Sequence, residues 1–454
     1  MGGELETANG RAIPVQPALN DLRSRRLGAR FPVPEEPSLR ADTRDVTGRA
    51  RVPESSADVV RTPPPAPDRS VGTDSGGDGA ITISRVSSIG ELEGLREPWD
   101  ALLRQSPASH LFLSHDWVCT WWKHFGGDRR LFTLVFRRDD RILGIAPLLL
   151  ERRRRRGIPV RQIGLLLNGC AQQSGLIFPA QKRDVFRAFV RHLQDCADQW
   201  DLVDLNGIPE LSGDLPEIEA AAEGSSISVV RRWQFETLSL EYRGRPEVFM
   251  KSRTAHFRKR LKAAEKHLHE LGSVALRRYT SPEDLESGFS RLLDVERRSW
   301  KLEGGTAILN QPGWLEFYRD VIGIFGRKAG CQIRVIEIDG SPVASILVIV
   351  YDGVVYALRI FIDQSLSRAS LGNLMMHFLM TDAWTPEIRA IDFDRRTPFI
   401  SRWSNRSDVY HGVFLFHGGF YPRFLRRLQS LSSAARSLWK LGSRNGGREA
   451  EVAD

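Results

Sequence analysis

Residues Cys331 to Trp403 read CQIRVIEIDGSPVASILVIVYDGVVYALRIFIDQSLSRASLGNLMMHFLMTDAWTPEIRAIDFDRRTPFISRW. The stretch breaks at its own punctuation. Ile333 to Ile338 alternates and is rich in β-branched residues, which predicts a strand. Asp339-Gly340 is a two-residue hairpin signal. Pro342 to Val350 is apolar almost throughout, as a buried central strand is. Asp352-Gly353 is a second hairpin signal, and Val354 to Ile362 a third strand. A polar loop, Asp363 to Ser370, leads into a helix over Leu371 to Trp384. Arg389 to Phe393 is a last strand. Meandering strands, a loop, a helix and one more strand make a compact α+β unit, a mostly antiparallel sheet flanked by helices.

Two features of this unit can carry chemistry. Arg368, Ala369, Ser370, Leu371, Gly372 and Asn373 open the helix with one cation and no acid. Backbone N–H groups at a helix start attract phosphate, so these six residues are candidates for binding a phosphate-bearing cofactor. An ordinary helix start with Ser370 as N-cap accounts for the same residues. Asp392 and Asp394 lie at and beyond the carboxyl end of the last strand, beside the expected cleft. Either is a candidate base. Alternation equally allows one of them to be a cap or an ion-pair partner of Arg395 or Arg396.

The rest of the chain bounds the reading. It has 454 residues, enough for two domains and a tail, and 41% are hydrophobic. Lys and Arg outnumber Asp and Glu by 65 to 56, a net charge of +9. That balance suits an anionic partner: a phosphate-rich cofactor, an acidic membrane face or RNA. The four cysteines lie far apart, so neither a zinc site nor a disulfide framework is signalled. With no apolar signal-peptide core, the expected location is the cytoplasm. The longest apolar runs, such as Ile142 to Leu150, are strand-length.

Residues 1–80 are rich in Pro, Gly, Ser and Arg, lack a periodic apolar face and are expected to be a disordered tail. Residues 81–245 are expected to form an N-terminal domain. It begins with a strand at Ile81 to Val86 and a helix over Ile89 to Leu103. An aromatic helix follows, with Ser114 as N-cap and Trp117, Trp121 and Trp122 inside it. That helix reads as core, or as the lining of an acyl or sugar pocket. Leu131 to Phe136 and Ile142 to Leu150 form a strand pair. Arg152 to Arg156 is a solvated hairpin tip or a contact to lipid head groups or phosphate. Strands at Gln162 to Leu167, Gly175 to Phe178 and Leu202 to Leu205 and a helix over Asp184 to Ala197 complete it. LFTLVFRRDDRILGIAPLLL here parallels IRVIEIDGSPVASILVIV in the opening stretch at an offset of about 190–200 residues, consistent with an architectural duplication.

Residues 246–330 are expected to be a helical connecting segment. Phe249 to Leu271 sets Phe257, Leu261, Ala264 and Leu268 on one face and Arg258, Lys259, Arg260, Lys262 and Lys266 on the rest. Helices over Pro282 to Trp300 and Trp314 to Phe325 follow. Residues 331–421 form the C-terminal domain, closing on a strand at Val409 to Phe416. Residues 422–454 hold a basic amphipathic helix, Tyr421 to Leu441, and a tail. Such a helix packs on its own domain or lies on an anionic membrane.

These landmarks resemble, in order, the GNAT-fold acetyltransferase-like family linked to cellulose biosynthesis (CelD-type), related to Fem-type peptidyltransferases. The matching residues are Phe112-Leu113-Ser114 with Trp117 and Trp121-Trp122, Gly144 to Leu148, His256 to Leu261, Arg297 to Trp300, Gly372, and Ile391-Asp392-Phe393. The resemblance covers about Phe112 to Trp403. It implies tandem GNAT-like domains and a cytoplasmic acyltransferase, peripheral at the membrane's inner face if the C-terminal helix docks there. Such an enzyme moves an acyl group, typically acetyl, from acyl-coenzyme A to an amine or hydroxyl of a small molecule or polysaccharide precursor. Envelope and exopolysaccharide pathways are the implied setting. Relatives place a Gly-acid turn and Tyr-Lys before Arg-Trp; here Arg402 and Trp403 match, and the glycine and lysine are absent.

Transfer within a ternary complex needs positioning, a base and an oxyanion donor. Asp392 or Asp394 would be the base and Arg368 a phosphate partner. Trp300, Arg402 and Trp403 would line the acceptor site, and core packing accounts for either tryptophan as well. No metal constellation stands out. Two other readings remain open: an aminoacyl-tRNA-dependent Fem-type transferase, which suits the basic helix, and a non-catalytic GNAT-like scaffold in an envelope-polymer system.

Overall fold

The computed structural model describes residues 79–427, apart from 108, 156, 172, 180 and 181. The readings of residues 1–78 as a tail and of 428–454 as the rest of a helix and a tail lie outside the described residues. So does Arg156 of the arginine run.

The N-terminal half runs β1 (Ile81–Val86), α1 (Ile89–Glu93), α2 (Arg96–Gln105), α3 (His115–Phe125), β2 (Arg130–Leu131), β3 (Thr133–Arg138), β4 (Arg141–Ala146), β5 (Leu148–Arg155), β6 (Ile158–Leu165), α4 (Arg183–Asp195), β7 (Leu202–Pro209), α5 (Asp214–Ala222) and β8 (Ser228–Glu241). The C-terminal half runs α6 (Pro246–Ser252), α7 (Ala255–Glu270), β9 (Val274–Tyr279), α8 (Leu285–Glu296), α9 (Trp300–Glu303), α10 (Trp314–Arg327), β10 (Cys331–Ile338), β11 (Ser341–Tyr351), β12 (Val354–Ile362), α11 (Leu371–Asp382), β13 (Ala390–Arg395) and β14 (Arg406–Phe416).

Both hairpin signals of the opening stretch act as read. Asp339 and Gly340 have φ of 50° and 77°, and Asp352 and Gly353 have 47° and 69°. Positive φ at both central residues is what a type I′ turn demands.

One sheet of eleven strands, in the order β2-β5-β6-β7-β14-β8-β13-β12-β11-β10-β9, crosses both halves. A small second sheet pairs β1, β3 and β4. Each half contributes one parallel pair, β6 with β7 and β12 with β13. The next strand in sequence then crosses over. β8 pairs with β13 of the other half, and β14 pairs with β7. β8 and β14 pair with each other at the centre, antiparallel. The duplicated halves thus share one sheet and exchange their last strands.

Several elements differ from the sequence reading. The segment 246–330 is not wholly helical: β9 pairs with β10 at the sheet edge. Gly94 and Leu95 break the first helix into α1 and α2. Arg253, in extended conformation, separates α6 from α7. The expected strand at Gly175 to Phe178 is a single bridge, Ile145 to Ile177.

The aromatic helix α3 is core. Ser114 Oγ accepts from the Trp117 amide at 3.4 Å, the cap the sequence calls for. Trp117 and Trp121 are buried. Trp117 meets Phe112 and Phe317 edge-to-face at 5.0 and 5.3 Å. Such pairs contribute about 0.5–1.5 kcal/mol beyond burial. Phe317 lies on α10, so one apolar cluster binds the two halves on this face.

Candidate functional site

The sheet forks within the C-terminal half. β12 and β13 pair only at Val354–Ala390, Val355–Ile391 and Tyr356–Asp392. β12 runs on to Ile362 and β13 to Arg395 without pairing, so the strands splay at their carboxyl ends. On the other side of β12, Leu347 opposes Arg359 and Val348 opposes Ala357. Leu358 is therefore an extra residue, a bulge that bends the strand beside the fork.

The polar loop after β12 is a short 3-10 segment, Gln364–Ala369, capped by Asp363, whose side chain accepts from the Ser365 amide at 2.9 Å. Arg298 Nε holds the other carboxylate oxygen at 2.6 Å. Ser370 has φ 54° and ψ 32°, left-handed, and stands at the N-cap of α11 without a side-chain cap bond. The Asn373 amide donates to the Ser370 carbonyl at 2.9 Å. No acceptor among the described residues meets the amides of Leu371 and Gly372. Uncapped first-turn amides are donors for an anion. Arg368 is exposed and no acid among the described residues pairs with it, while Ala369 is buried. A Cβ on Gly372 would lie 3.0 Å from Ile362 Cδ1 and 3.2 Å from Phe399 Cζ. The glycine is thus tightly packed on its inner side, where a Cβ would need Ile362 and Phe399 to give by a few tenths of an ångström.

The two acids differ in their surroundings. Both oxygens of Asp392 are engaged: Oδ2 accepts from Gln173 Nε2 at 2.7 Å and Oδ1 from the Asp394 amide at 2.8 Å. Burial still raises its pKa against those bonds. Asp394 has φ 71°, left-handed, and its Oδ1 is buried with no hydrogen-bond partner among the described residues. Its pKa is pushed up to about 7, chiefly by burial. The nearby Arg395 and Arg359 cations oppose the rise, and the Asp392 charge adds to it. A carboxyl poised near neutrality and open at one oxygen has the properties of a general base. Asp392 fits a positioning role.

Gln173 and Arg359 escaped the sequence reading. Gln173 sits in a loop without periodicity and gave no signal. Arg359 gave one: it is the lone cation in an otherwise apolar strand. Its Nε donates to Tyr318 Oη at 2.7 Å and its Nη2 to the Gly169 carbonyl at 2.8 Å. Its guanidinium lies 4.4 Å from the Trp314 ring centroid.

The expected acceptor-site residues do not gather at the fork. Trp403 is fully buried, stacks edge-to-face on Phe257 at 5.2 Å and donates from Nε1 to Asn373 Oδ1 at 3.2 Å. It packs within the core and ties the first turn of α11 to it through Asn373. Arg402 is exposed, and its carbonyl takes a long 3.4 Å bond from Arg253. Trp300 is 54% exposed at the start of α9.

The N-terminal half holds the counterpart of this parallel pair. Its third parallel register pair is Gly164–Asp204, the counterpart of Tyr356–Asp392. Asp204 thus stands where Asp392 does, and Asn206 where Asp394 does. Arg155 binds Asp204, and Arg232 binds Asn206. The start of α4 is closed by a buried Lys182–Asp214 ion pair. Among the described residues no group of three or more His, Cys, Asp or Glu gathers as a metal site would.

A forked, mostly antiparallel sheet with a helix start at the fork, present twice in one chain, defines a tandem GNAT-like fold. Residues 255–399 match the family model described as an acetyltransferase (GNAT) domain. Among solved structures, FemX aligns with a TM-score of 0.51 at 10% identity, covering 71% of this chain and 96% of that one. A tandem GNAT protein from the clavulanic acid biosynthesis pathway aligns at 0.42 and 13%, covering 75% and 99%. The C-terminal domain of a putative lysylphosphatidylglycerol synthetase from Agrobacterium fabrum aligns at 0.43 and 9%, covering 76% and 96%. FemX shares the fold. No curated protein matches the sequence.

Proposed function

We propose that the C-terminal half transfers an acyl group from acyl-coenzyme A to an amine or hydroxyl of a small-molecule or polysaccharide-precursor acceptor. One observation carries this reading: at the fork of β12 and β13, the uncapped start of α11 follows one strand and the half-free carboxyl of Asp394 follows the other. The open amides of Leu371 and Gly372, with the exposed Arg368 beside them, suit a diphosphate. Asp394 takes the proton from the acceptor's nitrogen or oxygen as that atom adds to the thioester carbonyl. Collapse of the adduct breaks the carbon–sulfur bond, and the sulfur leaves as the coenzyme thiol once protonated. Asp392, fixed by Gln173, orients the backbone of Asp394. The choice of acetyl as acyl group, the exopolysaccharide and cellulose setting, and the cytoplasmic location belong to this proposal, and the family resemblance supports them. Calorimetry with acetyl-coenzyme A tests it: a saturable heat lost in Arg368→Glu supports the site, and absence of binding rejects it.

An aminoacyl-tRNA donor is the second reading. Lys259, Arg260 and Lys262 on α7 are exposed with no acid paired to them among the described residues. Retardation of tRNA with a steep salt dependence, alongside no heat with acetyl-coenzyme A, would favour it over the first.

A further inference from the structure

After β14 the chain turns into a helix over 420–427. One side of this helix is docked. Leu425 packs with Val160, Leu202, Phe414 and Phe416 against the sheet, with Tyr421 at its edge. Tyr421 Oη donates to the Pro159 carbonyl, and Arg426 Nη1 to Ser228 Oγ at 2.8 Å. The opposite side carries Phe420, Arg423, Phe424 and Arg427, the spacing i, i+3, i+4 and i+7 of one helical stripe. All four are exposed, Phe420 at 89% and Phe424 at 44%. Two aromatic rings and two cations thus point away from the body of the protein together.

Along the sequence, the charge flanking the stripe is of one sign. From Val409 to Arg448 the sequence holds no Asp or Glu, while it includes Arg423, Arg426, Arg427, Arg436, Lys440, Arg444 and Arg448. No described helix is long and apolar enough to cross a membrane. We propose that the face formed by Phe420, Arg423, Phe424 and Arg427 seats on the surface of an anionic lipid bilayer. The rings enter the boundary between headgroups and acyl chains, and the guanidinium groups bind lipid phosphates. Two rings beside two cations on one helical stripe suit the boundary between headgroups and acyl chains, whereas nucleic acid would meet the rings only by unstacking its bases. This proposal rests on no part of the acyl-transfer reading.

The test is flotation of the full chain with vesicles. Equal parts phosphatidylcholine and phosphatidylglycerol should carry the protein up a density gradient, phosphatidylcholine alone should not, and high salt should release it. Arg423→Gln with Arg427→Gln should weaken binding about 30-fold, from the loss of two cations at the surface. Phe420→Asp with Phe424→Asp should abolish flotation. Both double variants should melt at the parent's temperature, because the four side chains face outward. Three results would overturn the proposal: a parent that ignores anionic vesicles, variants that float as the parent does, or a parent that forms dimers dependent on Phe420 and Phe424.

Discussion

Gln173 Nε2 donates to Asp392 Oδ2 at 2.7 Å across 219 residues of sequence, one side chain from each half of the protein. Gln173 is 4% exposed, so this bond is made away from water. Removing the donor leaves a buried carboxylate oxygen unpaired, at about 1–3 kcal/mol. Gln173→Leu should lower the melting temperature. It should also lower turnover more than Gln173→Glu assayed at a pH where that Glu is protonated. Equal turnover in both would show that Asp392 needs no anchor.

Asp394 should set the acidic limb of the pH profile. A base must be deprotonated, so acyl transfer should be low below about pH 7 and rise through it. Asp394→Asn should abolish that limb and reduce kcat about 10²–10⁴-fold. Folding raises this pKa above the ordinary carboxyl value, so the protonated form is the better tolerated one. The stability present at low pH is therefore lost as pH rises through about 7. Asn carries no charge and accepts a left-handed backbone, so the variant should melt higher than the parent at pH 8. Lower stability at pH 8 would contradict the burial of an ionising group here.

Arg368→Glu should weaken binding of acetyl-coenzyme A about 10–100-fold, the size of one lost charge-assisted contact, without changing the melting temperature. The exposed side chain makes this a cleaner probe than Gly372→Asp, whose Cβ would press on Ile362 and Phe399. Unchanged affinity on calorimetry would remove the α11 start from the binding site.

Trp403→Ala should cost about 3–5 kcal/mol, as deletion of a large core ring does. Trp403→Phe, which keeps most of the packing, should leave the KM for acceptor unchanged. A raised KM would restore Trp403 to the acceptor site.

The stretch from β10 to β14 was legible to within a few residues because its signals are local. The Asp-Gly pairs fix the hairpins, and apolar runs fix β10 to β12. β8 was not legible. The sequence reading assigns it no element: in SVVRRWQFETLSLE four charges interrupt the apolar residues, and the fold supplies partners for its acids, Arg396 for Glu236 and Arg406 for Glu241. β9 was missed for the same reason, with Arg277 held by Glu337 and Arg278 by Asp382. Of the site, the six loop residues and the two acids were readable as candidates. The different surroundings of Asp392 and Asp394 were not, since they depend on Gln173 from the other half. Trp403 reads in the sequence as pocket wall or as core, because a tryptophan's sequence neighbours do not tell the two apart; the structure buries it.

The crossing of β8 and β14 bears on how such a chain arises and how it can be cut. Each half gives away the strand that would cover its own parallel pair and receives the other's in return. A lone half would present an unmatched sheet edge and would close only by finding a second copy of itself. The single chain is thus, in its topology, a homodimer whose two subunits have been tied end to end. The tie lets the two halves differ: one carries Asn206 where the other carries Asp394.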